Sequence, residues 1–199
     1  MSAHFLPRAI RDLCITSTTV VLISISVRAE VELATNLLIS KSKSRVTYVL
    51  HHPMHIIRGV SNDVTGTVEL LPDTLGSEIS INIPVSSFDT GNESRDSHAL
   101  EVVEGFKYPM VRFKGKAIRP EIQGNISGWL IEGQVDFHGV KKQIAFIAHP
   151  GLLAGKAHVT GSFGISLEAH LVKRPKLLFF PISDSLHIEL DLFAENEIK

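Results

Sequence analysis

The segment Glu78-Ile-Ser-Ile-Asn-Ile-Pro-Val85 shows the pattern that dominates this chain of 199 residues. Its apolar residues occupy every second position, which places them on one face of an extended strand. The same alternation recurs at fairly regular spacing from Arg45 onward, with turn residues between the runs. The sequence therefore predicts about eight or nine strands, each with one face buried and the other in water.

The regular spacing of these strands favours a closed antiparallel barrel, with a two-sheet sandwich as the alternative. Closure pairs the backbone N–H and C=O groups that an open edge leaves exposed. A barrel of about eight strands either fills its interior with side chains or holds one small ligand. The inward residues would be Ile, Val, Leu and Phe, so a ligand would have to be apolar. The pattern allows both a filled and a hollow interior.

Three turns are predicted within this series of strands. Asn62-Asp63 separates two short runs, and Phe137-His-Gly139 has the composition of a hairpin turn. Glu132-Gly133 is predicted to join two further strands, one on each side of it.

The segment Ser87–Pro109 departs from the alternation and predicts one short amphipathic helix. Asn92 or Ser94 can cap its start by accepting a hydrogen bond from a free backbone N–H group. Gly105 can adopt the left-handed conformation that ends a helix, and Pro109 suits the change of direction into the next strand. The apolar face of this helix must pack on the mouth or side of the sheet. It consists of residues at roughly helical spacing: Ala99, Leu100, Val102, Val103 and Phe106.

The first 29 residues have the layout of a secretory signal peptide. Arg8 and Arg11 precede an uncharged run over residues 15–27, which is shorter than the ~20 residues of a membrane-spanning helix. Val27-Arg28-Ala29 then supplies small residues where a signal peptidase requires them. The sequence therefore predicts a periplasmic or secreted protein, with a linker or edge segment over residues 30–44 and a barrel over residues 45–199.

Composition and motifs exclude several other classes of protein. The only cysteine, Cys14, lies in the predicted signal peptide, so disulfides, thiolate metal sites and a cysteine nucleophile are not expected. The net charge is −1 and the sequence contains no basic stripe, so nucleic acid is not an expected partner. The sequence shows no Ser/His/Asp order, paired-carboxylate signature or glycine-rich phosphate loop, so we expect no enzyme and no cofactor.

Three of the ten histidines, His51, His52 and His55, are close together in the sequence. Two imidazoles of this group could bind a metal if further ligands converged on them from His98, His138 or His170. Hydrogen-bonding histidines at a strand edge are the simpler interpretation. Two arginines are also of interest. Arg95 could pair with Asp96 or bind an anionic group at the helix start, whereas a solvated charge at the barrel rim is the simpler interpretation of Arg174.

The segment Ser86-Ser-Phe-Asp-Thr-Gly-Asn92 with Arg95-Asp-Ser-His98 is the most specific of several motifs in this chain. Together the motifs resemble the YceI-like polyisoprenoid-binding family over about residues 45–193. The others are Tyr48-Val-Leu-His-His-Pro-Met-His55 with Gly59, Tyr108-Pro109 with Phe113, Gly128-Trp-Leu130 with Phe137-His-Gly-Val-Lys141, Gly161-Ser-Phe-Gly-Ile-Ser-Leu167, Lys173-Arg-Pro175 and Pro181-Ile-Ser-Asp184. The resemblance implies an extended eight-stranded antiparallel, lipocalin-like barrel with a helix packed on it. It also implies an exported, non-enzymatic protein with a long apolar channel for an isoprenoid-like or other long-chain lipid.

The resemblance also suggests which residues contact the lipid. We expect an apolar tail to lie among Phe88, Phe106, Trp129, Phe137, Phe163 and Ile165. We expect a polar or pyrophosphate head near Arg95, His98 and Arg174. A metal- or quinone-linked redox or stress component that uses the three clustered histidines, and a structural module with a filled barrel, remain the rival hypotheses. A homodimer is an open alternative to a monomer.

Overall fold

The computed structural model describes residues 35–52, 54–71, 76–118, 128–177 and 179–196. The predicted signal peptide lies outside these ranges. One α-helix, α1 (Glu93–Val102), and two 3₁₀ turns, Val85–Ser87 and Glu168–His170, interrupt a series of strands. The strands are β1 (Thr35–Ile39), β2 (Arg45–His52), β3 (His55–Ser61), β4 (Thr65–Leu70), β5 (Gly76–Pro84), β6 (Met110–Ile118), β7 (Trp129–Phe137), β8 (Val140–Leu153), β9 (Lys156–Ser166), β10 (Lys176–Leu177), β11 (Phe180–Pro181) and β12 (Ser185–Asn196).

The main sheet closes into an antiparallel barrel. Its strand order is β1-β4-β5-β6-β7-β8-β9-β12-β2-β3, and β1 pairs again with β12. The closed ring therefore contains eight strands: β1, β4, β5, β6, β7, β8, β9 and β12. The remaining two strands extend strands of the ring. β2 pairs with β12 along the same edge as β1, and β3 leads into β4 along the chain. The predicted eight-stranded antiparallel barrel is confirmed.

The break between β1 and β2 is held by one buried hydroxyl group. The Ser44 Oγ atom donates to the Phe193 carbonyl at 3.2 Å and accepts from the Phe193 N–H at 3.0 Å. These two bonds satisfy backbone groups of β12 where the ladder to its neighbour is interrupted. The described part of residues 30–44 contains one strand of the ring, followed by the turn that joins it to β2. Its strand, Thr35–Ile39, pairs with β4 on one side and β12 on the other.

The predicted turn at Glu132-Gly133 is wrong, because β7 runs through both residues without interruption. Gly133 lies directly opposite Gly115 of β6, and the Phe113 ring covers the two glycines. A Cβ atom at Gly133 would lie 2.5 Å from the Lys114 carbonyl oxygen. This glycine therefore permits a close approach of two strands and does not form a turn.

Of the two predicted caps of helix α1, the structure uses Asn92, whose side-chain oxygen accepts from the Arg95 N–H at 2.9 Å. The end of the helix differs from the prediction. Glu104, and not Gly105, is in the left-handed conformation, with φ of 46°. Gly105 is needed for another reason, because a Cβ atom there would lie 2.1 Å from Leu100 Cδ1. In the part of the chain that the structure describes, no helix is both long and apolar enough to cross a bilayer.

Candidate ligand-binding cavity

The barrel encloses a cavity of about 670 Å³. This volume lies within the range of roughly 300–1,000 Å³ that is typical of small-molecule sites. Inward residues of β1 to β9 and β12 form its wall, as the alternation of each strand requires. Its aliphatic lining includes Val46, Leu50, Ile57, Val68, Ile79, Ile81, Ile83, Val111, Ile131, Val135, Val159, Leu186, Ile188, Leu190 and Leu192. The interior is hollow, which argues against the filled-barrel hypothesis.

Aromatic side chains form two groups on the cavity wall. The Phe146 and Phe163 rings stack with centroids 4.7 Å apart, and the Tyr48 and Phe88 rings lie 5.4 Å apart. Four of the six residues predicted to contact an apolar tail line the cavity: Phe88, Phe137, Phe163 and Ile165. Their contact with a ligand stays a prediction.

The other two predicted tail residues do not line the cavity. Phe106 follows the left-handed residue Glu104 and the buried Gly105, and its side chain is 93% exposed. Trp129 is on the inward face of β7, but it begins that strand at the end of the barrel opposite α1. There it packs against Ala117 and Ala148. Alternation assigns a residue to a face of a strand, but it does not give the depth at which the residue lies.

Tyr48 is a cavity residue that the sequence reasoning did not place on the wall. Its ring lies over Gly59, its cross-strand partner in β3. A Cβ atom at Gly59 would be 2.3 Å from Tyr48 Cε1, so glycine creates the space that the ring occupies. An aromatic residue paired with a glycine across a hairpin was the available signal.

The polar residues of the cavity wall cluster at one end, which we call the polar mouth. They come from three connections at that end of the barrel: the β2–β3 hairpin, the segment containing α1, and the segment between β9 and β12. Five of them are exposed, so the cavity opens to solvent here. The polar mouth consists of His55, Asn92, Ser94, Arg95, Asp96, His98 and Lys176, of which only Arg95 and Asp96 are half-buried.

Arg95 and Asp96 bind the first turn of α1 to Thr90 in the preceding loop. The Arg95 guanidinium donates to the side-chain and backbone oxygens of Thr90, both at 2.8 Å. The Asp96 carboxylate accepts from the Thr90 hydroxyl at 2.5 Å and from its N–H at 3.2 Å. His98 also lines the mouth, with its Nδ1 atom 3.8 Å from Glu101 Oε2. Arg95 thus has the structural role that was one of its two readings, and it also faces the cavity.

Arg174 does not line the cavity, so the structure does not place it where a bound head group would lie. Its guanidinium is paired with the Glu168 carboxylate and donates to the Ile182 carbonyl oxygen at 2.8 Å. These bonds tie together the two ends of the segment between β9 and β12. The position of Arg174 in the sequence predicted a location at the barrel rim. Its partners, Glu168 and Ile182, are identified only by the folded structure.

The three clustered histidines do not converge. His51 and His52 are neighbours in a strand, so their side chains point to opposite faces. The His52 side chain is buried, and the centroid of its ring lies 5.1 Å from that of His55. The Nδ1 atom of His52 accepts from the Met54 N–H at 3.2 Å. Among the described residues, no three His, Cys, Asp or Glu side chains are grouped as metal ligands. His138 and His170 lie elsewhere, joined by a bond of 2.9 Å from His138 Nδ1 to the His170 carbonyl oxygen.

Tyr48 should ionise at unusually high pH. Burial raises the pKa of Tyr48 to about 12, the Asp96 carboxylate adds to this rise, and Arg95 opposes it. The hydroxyl group is therefore a neutral hydrogen-bond donor at ordinary pH. The associated stability is complete below the unfolded pKa of ~10 and is lost as the pH rises through 10 towards the folded pKa.

We expect an absorbance titration to show a phenolate transition at about pH 12 that is absent in Tyr48→Phe. Tyr108→Phe is the matched control, because Tyr108 does not line the cavity, and it should leave this transition in place. If Tyr48→Phe left the transition unchanged, the assignment to Tyr48 would be wrong.

A closed antiparallel barrel with an apolar cavity that opens at one polar end defines a lipocalin-like binding protein. Comparison with protein families is more specific, since a model of the YceI-like domain matches residues 38–194. The chain belongs to the YceI-like family. No curated protein sequence matches it.

Solved structures share the fold at low sequence identity. BcnA of Burkholderia cenocepacia is 18% identical, with a TM-score of 0.69 over 79% of this chain and 99% of that one. A polyisoprenoid binding domain from Saccharophagus degradans is 14% identical, with a TM-score of 0.63 over 83% of this chain and 100% of that one. A YCEI protein of Campylobacter jejuni is 19% identical, with a TM-score of 0.57 over 75% of this chain and 90% of that one.

Proposed function

We propose that this protein is an exported, non-enzymatic carrier that sequesters or transports a polyisoprenoid or a similar long apolar lipid. The observation that carries the proposal is the apolar cavity of about 670 Å³ that opens at the polar mouth. Transfer of each methylene group from water into such a cavity contributes ~0.8 kcal/mol. A long chain can therefore bind tightly with few polar contacts.

The distribution of polar groups gives the bound lipid an orientation. The tail lies among the aliphatic and aromatic residues of the barrel, and the head lies at the polar mouth beside Arg95 and His98. The Tyr48 hydroxyl is close enough to Arg95 and Asp96 for their charges to affect its pKa, so it is a further donor to the head. Family membership and the polyisoprenoid binding domain with the same fold support this ligand class.

Mass spectrometry under native conditions, on protein purified from its host, tests the ligand. We expect a co-purifying apolar molecule that organic extraction removes. Extracted protein should then bind geranylgeraniol, measured by displacement of the fluorophore N-phenyl-1-naphthylamine. Protein that carries no lipid and binds no geranylgeraniol would contradict the proposal.

Export is tested separately by the intact mass of the protein and by cell fractionation. The pattern of residues 1–29 supports cleavage after Ala29 and accumulation in the periplasm or medium. A full-length chain found only in the cytoplasm would contradict export and leave the ligand proposal standing. A homodimer stays a prediction, which the sedimentation coefficient of the purified protein would check.

A further inference from the structure

Five large apolar side chains are exposed at the end of the barrel that carries the polar mouth. We call them the rim patch: Met54, Ile56, Leu171, Phe179 and Phe180, with exposed fractions of 65%, 57%, 74%, 94% and 57%. They belong to two segments that lie side by side. The Ser183 N–H of the segment between β9 and β12 donates to the His51 carbonyl at the β2–β3 hairpin, at 2.9 Å. Contiguous exposed apolar surface of this kind marks an interaction site.

The backbone holds two of these side chains outward at an energetic cost. Leu171 and Phe179 have φ angles of 59° and 73°, in the left-handed region that bulky residues avoid. The Arg174 guanidinium connects Glu168 to the Ile182 carbonyl and so braces the segment that carries both residues. Strained residues that the surroundings hold in place are found preferentially at functional sites.

The rim patch is continuous with the polar mouth. His55 lines the cavity and lies between Met54 and Ile56 in the sequence. Lys176 also lines it and pairs with Pro181, the residue after Phe180. A surface that covers the rim patch therefore also meets the cavity entrance.

The charge beside the rim patch favours an anionic partner. Lys173 and Lys176 are both exposed, and Arg174 between them is paired with Glu168. The other carboxylate of this segment, Asp184, accepts from the Glu168 N–H at 2.7 Å. Aromatic side chains flanked by lysines suit a bilayer interface, where rings enter the headgroup layer and ammonium groups meet anionic lipids.

We propose that the rim patch docks onto the surface of an anionic lipid bilayer. Docking places the polar mouth against the headgroups, so that an apolar tail passes between bilayer and cavity without crossing water. This transfer step rests on the proposed carrier function, whereas docking does not. A bilayer is a better occupant than a protein partner, because the same surface surrounds the entrance to a cavity that suits a lipid tail.

Vesicle flotation tests docking. The protein used is the form that accumulates in its host. The vesicles contain phosphatidylcholine alone or phosphatidylcholine with phosphatidylglycerol. The double variant Phe179→Ser, Phe180→Ser removes two aromatic side chains from the rim patch. We expect it to lower the partition coefficient onto anionic vesicles by about tenfold or more, because each ring loses its burial in the interface.

Two matched controls are available in the same chain. Leu152 and Leu153 are exposed by 80% and 52% in β8 at the opposite end of the barrel, so Leu152→Ser, Leu153→Ser should leave flotation unchanged. The variant Lys173→Gln, Lys176→Gln should lose the preference for phosphatidylglycerol. The variant Lys114→Gln, Lys116→Gln, which changes two exposed lysines on the barrel wall, should keep it.

Three results would overturn docking: wild-type protein that does not float with anionic vesicles, equal losses in the two serine variants, or no loss in either. Loss of self-association in the phenylalanine variant, without vesicle binding by the wild type, would assign the patch to a second copy instead. Displacement of N-phenyl-1-naphthylamine by geranylgeraniol separates this outcome from failure of the carrier function. A failed docking proposal leaves that displacement intact, whereas a failed carrier proposal abolishes it and leaves flotation intact.

Discussion

Replacing Leu190 with tryptophan should reduce lipid affinity by about 100-fold while the barrel remains folded. Leu190 lines the cavity from β12, between Val46 of β2 and Gly161 of β9. Because the Leu190 side chain faces the cavity, an indole at position 190 would extend into the hollow interior. It would displace roughly four methylene groups of a bound tail, which is ~3 kcal/mol of binding free energy.

The measurement is displacement of N-phenyl-1-naphthylamine by geranylgeraniol, with far-ultraviolet circular dichroism to verify the fold. The control is Glu189→Trp, which adds an indole to the outer face of the same strand. Glu189 contacts Arg58 at 3.3 Å on the barrel surface, and such exposed pairs contribute little to stability. Affinity for geranylgeraniol should not change in this control. Unchanged affinity in Leu190→Trp would mean that the tail does not occupy this cavity.

Replacing Gly133 with alanine should lower the free energy of unfolding by about 2–3 kcal/mol. The new Cβ atom would lie 2.5 Å from the Lys114 carbonyl oxygen and 2.7 Å from the Gly115 Cα atom. These are backbone atoms of the paired strand, so rotation of a side chain cannot relieve the overlap. β6 and β7 must separate, and the Phe113 ring that covers both glycines must move.

Thermal unfolding measured by circular dichroism should show a midpoint about 5–10 °C lower for Gly133→Ala than for the wild type. The matched control is Gly151→Ala in β8, where an added Cβ atom meets no other heavy atom within 4 Å. The control should be neutral or slightly stabilising, because alanine restricts the unfolded chain more than glycine does. Equal midpoints for Gly133→Ala and wild type would show that the strands tolerate separation at this point.

The sequence predicted local structure correctly where a residue pattern has only one physical cause. Alternation along Gly76–Pro84 placed Ile79, Ile81 and Ile83 on the cavity wall, because successive strand residues must face opposite sides. The helix after Asp89 began at Asn92, since a free N–H group at a helix start needs an acceptor. Both requirements operate over a few residues, so the sequence shows them directly.

Signals with two possible causes were ambiguous in the sequence. Glycine suits a turn and equally suits a close approach of two backbones, and Gly133 serves the second purpose. An aromatic residue near a helix suits its apolar face, but the Phe106 side chain is exposed to solvent. An arginine near a barrel rim suits a ligand, but Arg174 is bonded to Glu168 and Ile182.

The sequence by itself determined the alternation of the strands, the single helix with two candidate caps, and the apolar character of the barrel interior. These properties depend on which residues are near one another in the chain. Only the tertiary structure decided that the interior is hollow, because interior volume depends on how strands from Thr35 to Asn196 close on one another. It also decided that three connections, which are far apart in the sequence, form one polar mouth. They lie close together only because the closed ring of strands places them at the same end of the barrel.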